Sequence, residues 1–141
     1  MKLLNKITNG ILILVIGLMH TQFALSSGGF GKQFREFSKS YFFEISKGPE
    51  DLHKLYEVHA AFWFFYFGIL LIPIGLLVHS IERRKIILPN SFTISYLIVV
   101  LIGSYMVPTS GMTYFMLPQA VYMLVSNYIK ARKLRLANPS H

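Results

Sequence analysis

A chain of 141 residues, 53% hydrophobic and only 14% charged, carries far less charge than the ~25% of an ordinary soluble domain and is long enough for one domain. Its charges are clustered, because residues 7–25, 58–81 and 86–129 hold none. The absence of cysteine excludes disulfides, thiol chemistry and cysteine–metal sites, and a net charge of +8 gathered beside apolar runs reads as contact with anionic lipid rather than with nucleic acid.

The first uncharged run, about 7–25, suffices for one span, since a helix rises ~1.5 Å per residue and the hydrocarbon core is ~30 Å thick. Lys2 and Lys6 before Ile11–Met19, with Ala24-Leu25-Ser26 behind, also have the layout of a signal peptide. The length of the run favours an uncleaved helix. Gly28-Gly29 ends it. Phe30, Phe34, Phe37, Tyr41, Phe42 and Ile45 then recur three or four residues apart, with Lys32, Arg35, Glu36, Lys39 and Glu44 between them. That period predicts an amphipathic helix over about 30–46. Aromatic residues beside lysines suit a helix on the outer membrane interface, and a lid over the mouth of a bundle has the same pattern.

Gly48-Pro49-Glu50-Asp51 reads as a helix start, since proline fits the first turn and acids favour the positive end of the dipole. The second span follows at about 58–80. The uncharged run 86–129 is too long for one crossing and suits two, about 91–107 and 112–129. Pro89-Asn90-Ser91 supplies the first of these with an N-cap, Pro108-Thr109-Ser110-Gly111 a tight turn, and Pro118 a kink in the last. The expected fold is all-α: one integral membrane domain over 1–141, a bundle of four transmembrane helices with an additional amphipathic interfacial helix in the first external loop.

Lys2 and Lys6, Arg83, Arg84 and Lys85, and Lys130, Arg132, Lys133 and Arg135 lie on alternate connections of that bundle. The positive-inside rule makes their side cytoplasmic, with both termini. Lys32, Arg35, Lys39, Lys47 and Lys54 in the long first loop run against the rule, but Glu36, Glu44, Glu50, Asp51 and Glu57 neutralise them. Small residues recur every seven positions on the first two spans: Gly10, Gly17 and Ala24 on one, Ala61, Gly68 and Gly75 on the other. In an antiparallel pair Gly10 faces Gly75, Gly17 faces Gly68 and Ala24 faces Ala61, which lets the backbones approach closely in a left-handed crossing.

Polar residues at membrane depth are the candidates for function. His20, Tyr66 and Gln119 fall at similar depth in the outer half of the spans, with Ser104, Tyr105, Thr113 and Tyr114 slightly above. They make either an outward-facing pocket, with His20 as a proton carrier or ligand group, or a set of interhelical hydrogen bonds that fasten the bundle. Glu57 and His59 stand at the outer boundary of the second span and have the chemistry of a metal or proton pair. His59 and His20 lie too far apart in depth for a joint metal site, and no metal motif or cofactor is expected. His79 is expected to snorkel toward headgroups. No phosphate loop, nucleophile elbow or catalytic acid pair occurs in the sequence.

The segments Phe30–Phe43, Ala60–Gly68, Ser91–Tyr96 and Pro108–Met112 resemble an uncharacterised family of small bacterial membrane proteins. The resemblance implies a four-helix protein of the bacterial cytoplasmic membrane with no assigned activity and supplies no catalytic residue. A looser likeness to DoxX-like proteins rests on helix count and size alone. Three functions stay open: binding of a small molecule or lipid around His20, Tyr66 and Gln119; an accessory or scaffold role through the interfacial helix and basic tail; and a membrane oxidoreductase or isomerase using His20 or Glu57. The expected partners are anionic lipid headgroups at the basic tail and, as an open possibility, further copies of the chain.

Overall fold

The computed structural model describes residues 7–40 and 52–137, and these form helices joined by short turns. In chain order they are α1 (Asn9–Leu25), α2 (Gly31–Ser40), α3 (Leu52–Arg83), α4 (Asn90–Met106), a π-helical turn (Met112–Met116) and α5 (Leu117–Ala137). Tyr41, Phe42 and Ile45 of the amphipathic pattern, and the Gly48–Asp51 helix start, lie outside the described residues. The chain divides into two compact units, Leu14–Pro73 and Met1–Ile13 with Ile74–His141. On α3 the division falls at Pro73, whose missing N–H leaves the carbonyl four residues earlier without its helical donor.

In the unit Leu14–Pro73, α1 and α3 meet at glycine. A Cβ on Gly17 would stand 2.9 Å from the Gly68 carbonyl oxygen, and one on Gly68 2.5 Å from the Thr21 hydroxyl. Thr21 turns that hydroxyl back to the Gly17 carbonyl at 2.9 Å, so it leaves no polar group unpaired at the contact. Ala24 and Ala61 are fully buried. After α1 the chain reverses tightly, with the Gly29 and Gly31 amides both donating to the Ser26 carbonyl. A Cβ on Gly29 would collide with the Phe23 carbonyl, and one on Gly31 would lie 2.5 Å from that of Leu25. The reversal lays the aromatic stripe of α2 against α3: Phe30 on Phe64 at 4.9 Å, Phe34 on Phe65 at 4.4 Å and Phe37 on Phe62 at 5.1 Å between ring centroids. Lys32, Arg35 and Lys39 keep the opposite, exposed face.

In the other unit, Gly10 meets the Gly75 carbonyl and the His79 backbone so closely that no Cβ fits. At its C-terminal end α3 closes with the Lys85 amide donating to the Glu82 carbonyl at 3.0 Å and the Ile86 amide to that of Ile81 at 3.3 Å. This is a Schellman closure with Lys85 at the left-handed position, φ 58°, where glycine is usual. Asn127 of α5 holds the chain that follows: its Oδ1 accepts from the Leu88 amide and its Nδ2 donates to the Leu88 carbonyl, each at 2.9 Å. Asn90, expected within the cap of α4, is the first residue of that helix, and Pro89 in the cap position makes no side-chain capping bond. The Asn90 side-chain oxygen instead accepts from Asn127, at 3.4 Å.

The π-helical turn has a physical cause in Pro118, whose ring would press on the carbonyl of Tyr114 in a regular α-helix. A wider turn relieves that contact just upstream. α4, the π-turn and α5 pack on one another. Thr93, Val100 and Ser104 are the buried residues of α4, while Met116, Gln119, Ala120, Met123 and Asn127 are buried along α5 and the turn before it. Large aliphatic residues face outward on every long helix: Val15 and Leu18 on α1, Leu76 and Leu77 on α3, Ile98 and Ile102 on α4, Val121 and Val125 on α5. Helix Leu55–Arg83 is long and apolar enough to cross a membrane, and Asn9–Leu25 and Asn90–Met106 are shorter apolar helices.

Candidate functional site

Besides Asn127, two groups of polar side chains in the unit of Met1–Ile13 with Ile74–His141 stand out, and they differ in how well they are paired, although Asn9 Oδ1 in the first also lacks a partner. The first joins the start of α1, the end of α3 and the second half of α5. The Glu82 side chain is 3% exposed and takes three donors: Asn9 Nδ2 at 2.7 Å, the Gly10 amide at 3.2 Å and Lys130 Nζ at 2.9 Å. Its negative charge thus stands at the positive end of α1, where free amides favour an anion. Asn9 also donates to the Ser126 hydroxyl at 3.2 Å. Thr8 caps α1 through the Ile11 amide, and its hydroxyl shares a 2.7 Å hydrogen bond with His79 Nδ1. His79, expected to reach toward headgroups, is therefore tied to the start of α1. A carboxylate with three donors has little capacity left for a substrate, so this cluster acts as a clasp.

The second place is the turn end of α4 and α5. Gln119 is 5% exposed, and neither its Oε1 nor its Nε2 has a hydrogen-bond partner. Ser104, 8% exposed, and Ser110 in the turn have hydroxyls in the same condition. Side chains lean toward the N-terminus of their own helix. α4 and α5 run antiparallel, so Ser104 leans away from the turn and Gln119 toward it. Ser104 lies ~5 Å from the turn and Gln119 ~11 Å by rise per residue, so the two lean toward a common depth. A π-helical turn immediately before Gln119 adds local backbone irregularity of the kind that often accompanies function. Unpaired buried amides and hydroxyls cost about 1–3 kcal/mol each, which a hydrogen-bonding guest recovers.

The other residues singled out in the sequence are placed as follows. The His20 ring stacks on Phe64 at 3.7 Å and meets the edge of Phe67 at 5.4 Å. Tyr66 stacks on Phe62 at 5.8 Å and meets Trp63 at 6.1 Å, so His20 and Tyr66 use different aromatic partners on α3. Gln119 belongs to the other compact unit. Glu57 and Tyr105 are exposed, and His59 has a buried Nε2 without a partner. Among the described residues no group of three or more His, Cys, Asp or Glu is placed to hold a metal ion.

The sequence does not single out Asn9, Glu82 or Ser126, and marks Lys130 only as a basic residue of the tail, although Glu82 is the one acidic residue after Glu57 and stands beside Arg83, Arg84 and Lys85. That isolation was its signal. The sequence places Ser104 only by its depth, slightly above His20, Tyr66 and Gln119.

No curated protein and no solved structure matches the chain. Residues 5–130 match the model of a family of unknown function (DUF6463), and the chain belongs to that family.

Proposed function

We propose that the chain is an integral membrane protein of four spans that holds a small molecule or a lipid by the polar groups at the turn end of α4 and α5. The membrane reading rests on the aliphatic side chains exposed on every long helix, in addition to the apolar core. Leucine, isoleucine and valine are exposed on α1, α3, α4 and α5, while Asn9, Thr93, Ser104, Gln119 and Asn127 are buried. In water so much exposed aliphatic surface would drive aggregation, whereas in lipid it is at no disadvantage. α1 and α4 have 17 residues each, or about 25 Å, the lower end of what crosses a bilayer. The π-turn and α5 supply the fourth crossing in this reading.

The meeting of Asn9, Glu82 and Lys130 supports a single side for the three basic segments, which the positive-inside rule makes cytoplasmic. Arg83, Arg84, Lys85, Arg132, Lys133 and Arg135 are exposed there and suit anionic headgroups.

The observation that carries the binding function is Gln119, a buried amide with neither end paired. Native mass spectrometry of the protein extracted in mild detergent tests it, comparing wild type with Gln119→Leu. The expected outcome is extra mass on the wild type that is lost from the variant. Equal occupancy of the two removes Gln119 from any binding role.

A further inference from the structure

Ligand class follows from the same groups, on the reading that the turn end of α4 and α5 is a binding site. Gln119 presents one acceptor oxygen and two donor hydrogens, all unpaired, and the Ser104 and Ser110 hydroxyls each present both functions. A guest that satisfies Gln119 must therefore give a hydrogen bond and receive one. A ketone or quinone only receives, and would leave Oε1 bare. A hydroxyl does both.

Charge narrows the class further. Residues 86–129 hold no charged side chain, so α4, the turn and α5 down to Ile129 offer no counter-ion. The nearest basic side chain on α5, Lys130, is eleven residues or about 16 Å below Gln119 and is bound to Glu82. An ionised headgroup buried beside Gln119 would lose its hydration and find no opposite charge on α4, the turn or α5 down to Ile129, so a phosphate or carboxylate is disfavoured. The exposed faces of α4 and α5 beside the site are aliphatic and aromatic, with Ile102, Val121, Tyr122 and Val125 ready to take acyl chains.

We infer that the site takes a neutral lipid with a free hydroxyl head, of the acylglycerol class, with the hydroxyl between Gln119 and Ser104. The binding step is non-covalent and consumes nothing.

The protein in phosphatidylcholine nanodiscs is offered three probes in turn: dioleoylglycerol, its acetyl-capped ester and dioleoyl phosphatidic acid. Retention is read by native mass spectrometry for wild type, Ser104→Ala and Gln119→Leu. Dioleoylglycerol is expected to be held at least about tenfold more tightly than the capped ester or the phosphatidate, and each substitution to weaken it by about tenfold, the value of one hydrogen bond. Phosphatidate or capped ester held as well as the free alcohol, and weakened by Gln119→Leu, overturns the hydroxyl assignment while leaving the binding function standing. Retention of all three probes unaffected by either substitution overturns both. Circular dichroism of the variants separates lost binding from lost folding, and Ser104→Ala, the smaller change, serves if Gln119→Leu does not fold.

Discussion

Asn127 does for the connection between α3 and α4 what a neighbouring strand does in a sheet, giving a donor and an acceptor to the one residue Leu88. Asn127→Ala strands both Leu88 backbone groups, and at 1–3 kcal/mol for each buried unpaired group the loss is about 3 kcal/mol. A clear fall in the thermal midpoint in detergent is expected, and an unchanged midpoint would show that water replaces the amide without cost. Glu82 carries the complementary case. Glu82→Gln keeps the shape but removes the charge that Lys130 and the start of α1 both use, whereas Glu82→Ala removes the acceptor shared by Gly10, Asn9 and Lys130 and leaves Asn9 only Ser126. The order of stability should be wild type, then Gln, then Ala, with Ala lower by about 3 kcal/mol, the scale of breaking a buried charged network. Equal melting of wild type and both variants would make the cluster ornamental. Beyond the isolation of Glu82, these partnerships are not legible in the chain as a string. Asn9 and Glu82 are 73 residues apart, and only the approach of α1 to α3 makes them partners.

Elements were easier to read than partners, because a helix is specified by local period and composition. The uncharged runs set the approximate limits of α1, α4 and the apolar part of α3, and the stripe Phe30, Phe34 and Phe37 falls on the face of α2 that meets α3. Sequence period cannot distinguish a lipid surface from a helix surface as the neighbour of that stripe, since both accept phenyl rings. The seven-residue spacing of glycine meets in the structure as the approaches of Gly10 to Gly75 and Gly17 to Gly68. The backbone break at Met112–Met116 left no mark beyond Pro118, whose effect on the preceding turn depends on what else packs there. Two substitutions test the glycine contact against a control. Gly68→Leu forces a side chain into Thr21 and the Gly17 carbonyl and should lower the thermal midpoint by an amount worth 2 kcal/mol or more, ~1–3 kcal/mol being usual for overpacking. Gly28→Ala, with nothing within 4 Å of the added carbon, should leave the midpoint unchanged. If both behave alike, the glycine approach does not hold the two helices. Lys85→Gly works in the opposite direction: at φ 58° it removes left-handed strain of about 1 kcal/mol and should raise the midpoint by a few degrees.

At the scale of the whole molecule, the distribution of charge and the clasp at Glu82 bear on one question, the sidedness of the connections. Lys130 reaches Glu82, and Asn9 at the start of α1 reaches the same carboxylate. The basic residues that follow Glu82 and Lys130 therefore stand near the start of α1 within the unit, without reference to any membrane. A negative aqueous interior attracts such segments. The chain contains no cysteine, so single cysteines report accessibility without a background. Lys85→Cys and Lys133→Cys should react with a membrane-impermeant maleimide only after the membrane is opened, and Thr109→Cys and Ser38→Cys in intact cells. Both sets reacting in intact cells would mean that the chain lies at a surface or is exported, and the four-span reading would fall. The reverse pattern, with Lys85 and Lys133 positions reactive from outside, would keep four spans and invert them. That result would transfer the exposed cations to the opposite face and remove the cytoplasmic anionic lipid as their partner.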